Sequence, residues 1–239
     1  MIMKRLLVMV MVMLLVLSCT VQASTMVFPK RVILNEKHRH DFFELTNTSS
    51  DEMYFDIGFV DRIQDPNGLT TDTDTYVYSA SRVLKYSPRK RLYIPAHGTK
   101  VIRMMVTKFS TLADGEHKSY LSILGKDSVA NSVAVRLNLP VIVRKGKLHA
   151  SADFGQVTLA EHAVLVELKR QGDRSIFGDI TIRQEQKVVG VLKKIAVYRE
   201  SEKITLRVNL KEGLTGDIDV EFVENENSGD IVVTKTVTL

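Results

Sequence analysis

The chain has 239 residues, room for one large domain or two ordinary ones, and 44% of them are hydrophobic, enough apolar material for real cores. Gly and Pro occur at ordinary frequency, which excludes a low-complexity chain. The formal net charge of +5 is mildly basic and gives no reason to expect a nucleic-acid partner.

The chain opens with "MIMKRLLVMVMVMLLVLSCTVQA". Lys4 and Arg5 precede an apolar run from Leu6 to Leu17, and Val21-Gln22-Ala23 supplies small residues at signal-peptidase spacing. These features predict a secretory signal peptide over residues 1–23. The run is shorter than the ~20 residues a transmembrane helix needs. A lipid-attachment reading at Cys19 fits less well, because Leu17 stands beside Ser18. Cleavage after Ala23 removes the single cysteine, so no disulfide is expected in the mature chain. It also removes Lys4 and Arg5, taking the charge from +5 to +3. No later apolar run is long enough to anchor the protein in a membrane.

Helical periodicity is nearly absent from the rest. "MVFPKRVIL", "HDFFELTN", "MYFDIGFVD", "RLYIP", "KVIRMMV", "SYLSIL" and "SVAVRLNLPVIV" alternate apolar with polar residues or are rich in β-formers. Turn chemistry separates them: "TSSDE", "DPNG", "PAHG" and "GKDSVANS". The segment "QDPNGLTTDTDTYVYSASRVLKYS" reads as a loop with one irregular strand. The second half continues in the same style, from "LHASADFGQVTL" and "HAVLVELKR" to "DIDVEFVE" and "DIVVTKTVTL". Between the halves lies the basic "RKGKLH", Arg144 to His149. The expected fold class is all-β, with immunoglobulin-like sandwich domains over residues 24–145 and 146–239.

Chemistry-bearing motifs are missing. There is no Gly-x-Ser-x-Gly, no phosphate loop and no mature thiol, so the chain reads as a non-enzyme without cofactor or metal. His38 and His40 read as a solvated turn in preference to a metal site. Asp72 and Asp74 lack the glycine and distal Glu of a calcium loop. "SPRKR", Ser87 to Arg91, reads as a basic hairpin end. One strand stands apart. "VAVRLNLPVIVRKG", Val133 to Gly146, is long and oily on one face, yet it contains Pro140. Proline cannot donate to a ladder and belongs at a sheet edge, where an oily strand is a hazard.

Several ordered motifs resemble the PapD-like periplasmic chaperones of chaperone–usher pilus assembly. They are "FPKRVIL", "YFDIGFVD", "SPRKRLYIPAHGTKVIRMMV", "ADGEHKSYLSI", "LNLPVIVRKG" and "KIAVYRESEKITLRVNL". Phe59 stands where many members have tryptophan. The resemblance implies two immunoglobulin-like domains in an L shape, a periplasmic location, and pilus or fimbrial subunits and an outer-membrane usher as partners. It also implies that the last strand of the first domain is lent to a subunit lacking its own final strand, which is β-augmentation. Val133, Val135, Leu137 and Leu139 would form that subunit-binding strand, although Leu139 also reads as core with Val141 and Val143.

The resemblance further implies a basic anchor for the subunit's C-terminus. Here the family's lysine position is Pro140, which leaves Arg31 first and Arg103 second. Glu116 and Arg144 match the family's interdomain salt bridge, with Glu224 or Glu226 as the acid from the second domain. The short loop before the donor strand suggests the subgroup with a short donor strand. A competing reading is an exported sandwich module that self-associates through this edge; the free chaperone could also cap its strand in that way.

Overall fold

The computed structural model describes residues 25–88, 91–127, 133–211, 216–225 and 231–238, and among them the side chains of all but Asp127, Val133 and Ala134. The signal-peptide segment, Cys19 and Glu226 lie outside these residues. The first half contains β1 (Thr25–Phe28), β2 (Val32–Asn35), β3 (His40–Asn47), β4 (Met53–Val60), β5 (Arg62–Gln64) and β6 (Thr70–Asp72). It continues with β7 (Leu84–Ser87), β8 (Leu92–Ile94), β9 (Thr99–Val106), β10 (Gly115–Asp127) and β11 (Val133–Lys145). Two sheets of order β1-β3-β9-β7 and β2-β11-β10-β4-β8 face each other. Alternation drives this packing. Phe43 and Leu45 of β3, Ile102 and Met104 of β9, Phe55 of β4 and Leu121 and Ile123 of β10 all point into one buried cluster, while their neighbours Phe42, Glu44 and Arg103 face outward.

The second half holds β12 (Ala150–Ala160), β13 (Ala163–Gly172), β14 (Ile176–Gln184), β15 (Lys187–Val197), β16 (Lys203–Asn209), β17 (Asp217–Glu224) and β18 (Val232–Thr238). Its sheets run β12-β13-β16 and β15-β14-β17-β18 around a separate cluster that includes Val166, Leu168, Ile180, Ile182, Val220 and Phe222. Among the described residues the sole helical element is a 3-10 turn at Phe109–Thr111.

The apolar run "MVFPKRVIL" is not one strand. β1 pairs antiparallel with β3 in one sheet, and β2 pairs parallel with β11 in the other. Pro29 cannot donate a ladder hydrogen bond, and the chain changes sheets across residues 29–31.

The long segment after β4 is more ordered than its sequence suggests, because its partners are in the second half. β5 and β6 form a hairpin whose "DPNG" turn is closed by Asp65, which accepts from the amides of Asn67 (2.9 Å) and Leu69 (2.8 Å). The hairpin lies against the second sandwich. The Gln64 side chain donates to the Ala196 carbonyl (2.8 Å) and accepts from the Tyr198 amide (3.0 Å), and the Thr205 amide donates to the Pro66 carbonyl (2.7 Å). Further on, the Tyr76 hydroxyl donates to Glu200 (2.8 Å), and Arg199 stacks 4.0 Å over the Tyr78 ring. Together, residues 64–78 strap the first sandwich to the loop that follows β15.

Candidate functional site: an open strand edge and the cleft beside it

β11 is paired along its whole length on one flank and over about a third of it on the other. On the first flank it meets β10 from Val133 to Lys145. On the second it meets β2 at Val141 to Arg144. From residue 133 to residue 140 the second flank therefore carries no strand among the described residues, and Pro140 is the last residue of that open run. A proline there removes no ladder bond that β2 would have used.

The side chains along this open edge divide by parity. Val135 and Leu137 are half-buried and pack on the rim of the first core. Leu139 is 6% exposed and lies inside that core with Val141 and Val143, so it has almost no surface left to present to a partner. The strand's register explains the change: toward β2 the sandwich closes over this face, and toward Val133 it opens. Arg136 is exposed on the opposite face, and Asn138 is half-buried there.

That opposite face looks into a cleft between the two sandwiches. Tyr120 and Ile142 from the first, and Tyr198 from the second, form a small buried cluster there, flanked by Ile33, Val60 and Ala196. Deeper in the cleft, Glu116 is 2% exposed. Its carboxylate accepts from Arg144 Nε (2.8 Å), from the Ser175 amide (3.0 Å) and from the Ser175 hydroxyl (2.9 Å). Glu224, 1% exposed, is held by the neighbouring Arg174 at 2.5 Å. The residues on either side of the cleft are thus joined through adjacent positions, Arg174 and Ser175. Arg31 lies 4.3 Å over the Phe177 ring of the second sandwich. Arg103 is on the outer face of the β1-β3-β9-β7 sheet, lining a surface cavity with His38, His40, Phe42, Lys85 and Met105, so it and Arg31 do not share a site.

Other residues singled out in the sequence take surface roles. Asp72 pairs with Arg62 (3.0 Å), and Arg91 stacks 4.6 Å over Tyr54. No group of three or more His, Cys, Asp or Glu side chains comes together as metal ligands among the described residues. Among them, no helix is long and apolar enough to cross a membrane.

Besides Arg174, two more buried cations were missed in the sequence. Arg170, 6% exposed, donates to the carbonyls of Ser201 (3.1 Å), Gly172 (2.8 Å), Arg174 (3.0 Å) and Arg199 (2.9 Å), and so shapes both second-half loops that reach the cleft. Lys118 is 1% exposed. Its ammonium bonds Glu200 and lies 3.6 Å from the Tyr198 ring centroid, with Tyr76 and Tyr120 also near. The available signal was period two: Glu116, Lys118 and Tyr120 share one face of a strand whose other face is core.

Burial lowers the Lys118 pKa, opposed by the charge of Glu200. Unfolding therefore takes up a proton just below the ordinary lysine value, and raising the pH through that window favours the fold. A buried pair of this kind gains little net stability while its breakage is costly. Glu200→Ala is expected to destabilise by about 3 kcal/mol, leaving the ammonium without its carboxylate. Lys118→Met combined with Glu200→Gln should restore most of that loss. Thermal melts of the two singles and the double check this; additive losses would show that the pair is not coupled.

No protein-family model matches the sequence, and no curated protein sequence matches it either. Solved structures do. The YadV chaperone superposes with a TM-score of 0.54 at 12% identity, covering 90% of this chain and all of its own. The Pseudomonas aeruginosa CupB2 chaperone superposes at 0.51 with 14% identity, covering 90% of this chain and all of its own. The chaperone–tip adhesion subunit pre-assembly complex CsuC–CsuE, from the archaic chaperone-usher Csu pili of Acinetobacter baumannii, matches at 0.52 with 14% identity over 90% of this chain and 98% of the other. With strand order, open edge and cleft in place, the chain has the all-β, two-domain fold of the pilus chaperones.

Proposed function

We propose that this protein is a periplasmic chaperone that binds pilus subunits by lending them β11, and delivers them to an outer-membrane usher. One observation carries the reading: the flank of β11 from residue 133 to residue 140 lacks a neighbour, on a strand with apolar residues at alternate positions. A subunit sandwich lacking a strand exposes unpaired backbone groups and a hydrophobic groove. An open strand edge with Val135 and Leu137 on one face answers both needs. Below Val135 the ladder slips by one residue, Gly125 opposing Val135 and Lys126 opposing Val133, so the alternation is not continuous to Val133. The likeness to chaperones solved with their subunits supports the same reading, since the fold of CsuC in the CsuC–CsuE complex is shared by this chain. The domains divide in this proposal after Lys145, where β11 ends.

The test is co-expression with each exported subunit encoded beside this gene. A stable one-to-one complex, with the subunit insoluble when expressed alone, is the expected result. Subunits that stay soluble without this protein, or homo-oligomers of this protein that ignore them, would overturn the reading.

A further inference from the structure

The outer face of the β1-β3-β9-β7 sheet carries a cavity that strand lending leaves unused. The sheet register sets its wall. His40 stands opposite Met105, and Met105 opposite Lys85; one step along, Phe42 stands opposite Arg103, and Arg103 opposite Ser87. These residues face outward, since their neighbours Phe43, Ile102, Met104 and Leu84 point into the core. His38, two residues before His40, joins the same wall, and the cavity so lined has a volume of about 770 Å³, an ordinary size for a small-molecule site.

The solvated face of an antiparallel sheet is normally polar. This one is not. Met105 is 37% exposed and Phe42 44%. Beyond the cavity, Val101 is the next outward residue of β9, and Met26 and Phe28 project from β1 on the same face, 59% and 68% exposed. Contiguous exposed apolar surface of this kind marks an interaction site. Cations gather at its cavity end. Lys85 and Arg103 are both exposed, and among the described residues neither is engaged in an ion pair or side-chain hydrogen bond. His38 and His40 add two imidazoles. The one carboxylate of the cavity wall, Asp41, accepts the Phe42 amide (2.8 Å), and Glu44 lies beyond Phe42, outside the cavity.

The geometry points to a binding site for an anionic amphiphile on this face, with a phosphate or carboxylate head between Arg103, Lys85 and the two histidines, and an acyl tail along Phe42, Met105 and Val101 toward Phe28. Each half of the surface rules out a simpler occupant. A bare anion would leave the aromatic and thioether side chains in water. A neutral apolar ligand would strip water from two cations without supplying a counter-charge. An amphiphile answers both, because Arg103 and Lys85 give charge-assisted hydrogen bonds to its head and each methylene covered by the face adds to the affinity. The site is separate from the lent strand: β11 lies in the facing sheet, with the first core between them. Head and tail of this chemistry come either from a free amphiphile or from a lipid of a bilayer, and the experiment separates the two sources.

In the first arm, the purified protein is titrated in a calorimeter with decyl phosphate kept below its micelle concentration. Saturable one-to-one binding is expected. Decyl maltoside, which has the tail without the charge, and inorganic phosphate, which has the head without the tail, should each bind about tenfold more weakly or worse. Lys85→Glu with Arg103→Glu should weaken decyl phosphate by about the same factor, and Phe42→Ser should weaken it too. The melting temperatures should not change, because all three side chains are exposed. In the second arm, the protein is sedimented with phosphatidylcholine vesicles with and without phosphatidylglycerol. Sedimentation with the anionic vesicles, lost in the double variant, assigns the head to a bilayer lipid; decyl phosphate binding without sedimentation assigns a free amphiphile. Absence of binding in both arms would overturn the inference. So would binding undiminished in the double variant, or decyl maltoside or inorganic phosphate bound as tightly as decyl phosphate. Wild-type affinity in Phe42→Ser would overturn the placement of the tail.

Discussion

Glu116→Ala is expected to lower the melting temperature of the free protein by about 10 °C. The carboxylate has three donors within hydrogen-bond distance and almost no contact with water. Arg144, whose side chain is 11% exposed, loses its Glu116 counter-charge, and the Ser175 amide loses its acceptor across the cleft. Removing one member of a buried, hydrogen-bonded ion pair costs about 3–5 kcal/mol, and for a chain of this size each kcal/mol moves the midpoint by about 2–4 °C. Glu116→Gln keeps one carbonyl acceptor and should fall between. Because Ser175 belongs to the second sandwich, the loss has a second signature: the single transition should separate into two as the domains uncouple. Calorimetry of the wild type and both variants checks this. A melting temperature unchanged in Glu116→Ala would mean that the joint between the sandwiches is carried elsewhere, the Gln64 hairpin and the Lys118–Glu200 pair being among the other contacts.

The two sandwiches were legible in the sequence because each strand states its own facing. "HDFFELTN" places Phe43 and Leu45 on one side by alternation alone, and the turn that follows is closed locally by Asn47, which accepts from Ser49 and donates to the Asp51 carbonyl. Pro140 at an edge was legible for the same reason, since a missing N–H is a property of one residue. What was not legible depends on distant residues. Gln64 has no local reason to be ordered; its amide is fixed by Ala196 and Tyr198. Nothing local marks Lys118 as buried; its burial requires Tyr76, Tyr120, Tyr198 and Glu200, drawn from separate segments. The runs "KVVGVL" and "KIAVYRE" read as two strands, and that they join into one through a bulge at Lys193 and Lys194 appears only in the register against Asp179.

Val135→Asp is expected to abolish subunit capture while leaving the free protein folded. Val135 faces Gly125 across the ladder, and a side chain added at Gly125 would come within 2.7 Å of Val135 Cγ1, so the valine lies directly on β10. It is nonetheless half-buried, at the end of the sandwich where β2 no longer covers the strand. In the free protein a carboxylate there keeps contact with water, which limits the cost to about 1–3 kcal/mol. In the proposed complex the subunit groove would close over the same side chain and strip that water away without offering a partner, and an unpaired buried charge is far more expensive. Arg136→Glu changes charge at the next residue but on the exposed face, and should leave capture intact. Co-purification of the subunit and a melting curve of each free variant are the two readouts. Loss of capture at a melting temperature within about 10 °C of wild type fits a donor face; an unfolded Val135→Asp would place the side chain in the protein's own core. Intact capture in Val135→Asp would mean that Val135 is not a recognition side chain, leaving the backbone edge and Leu137 to hold the subunit.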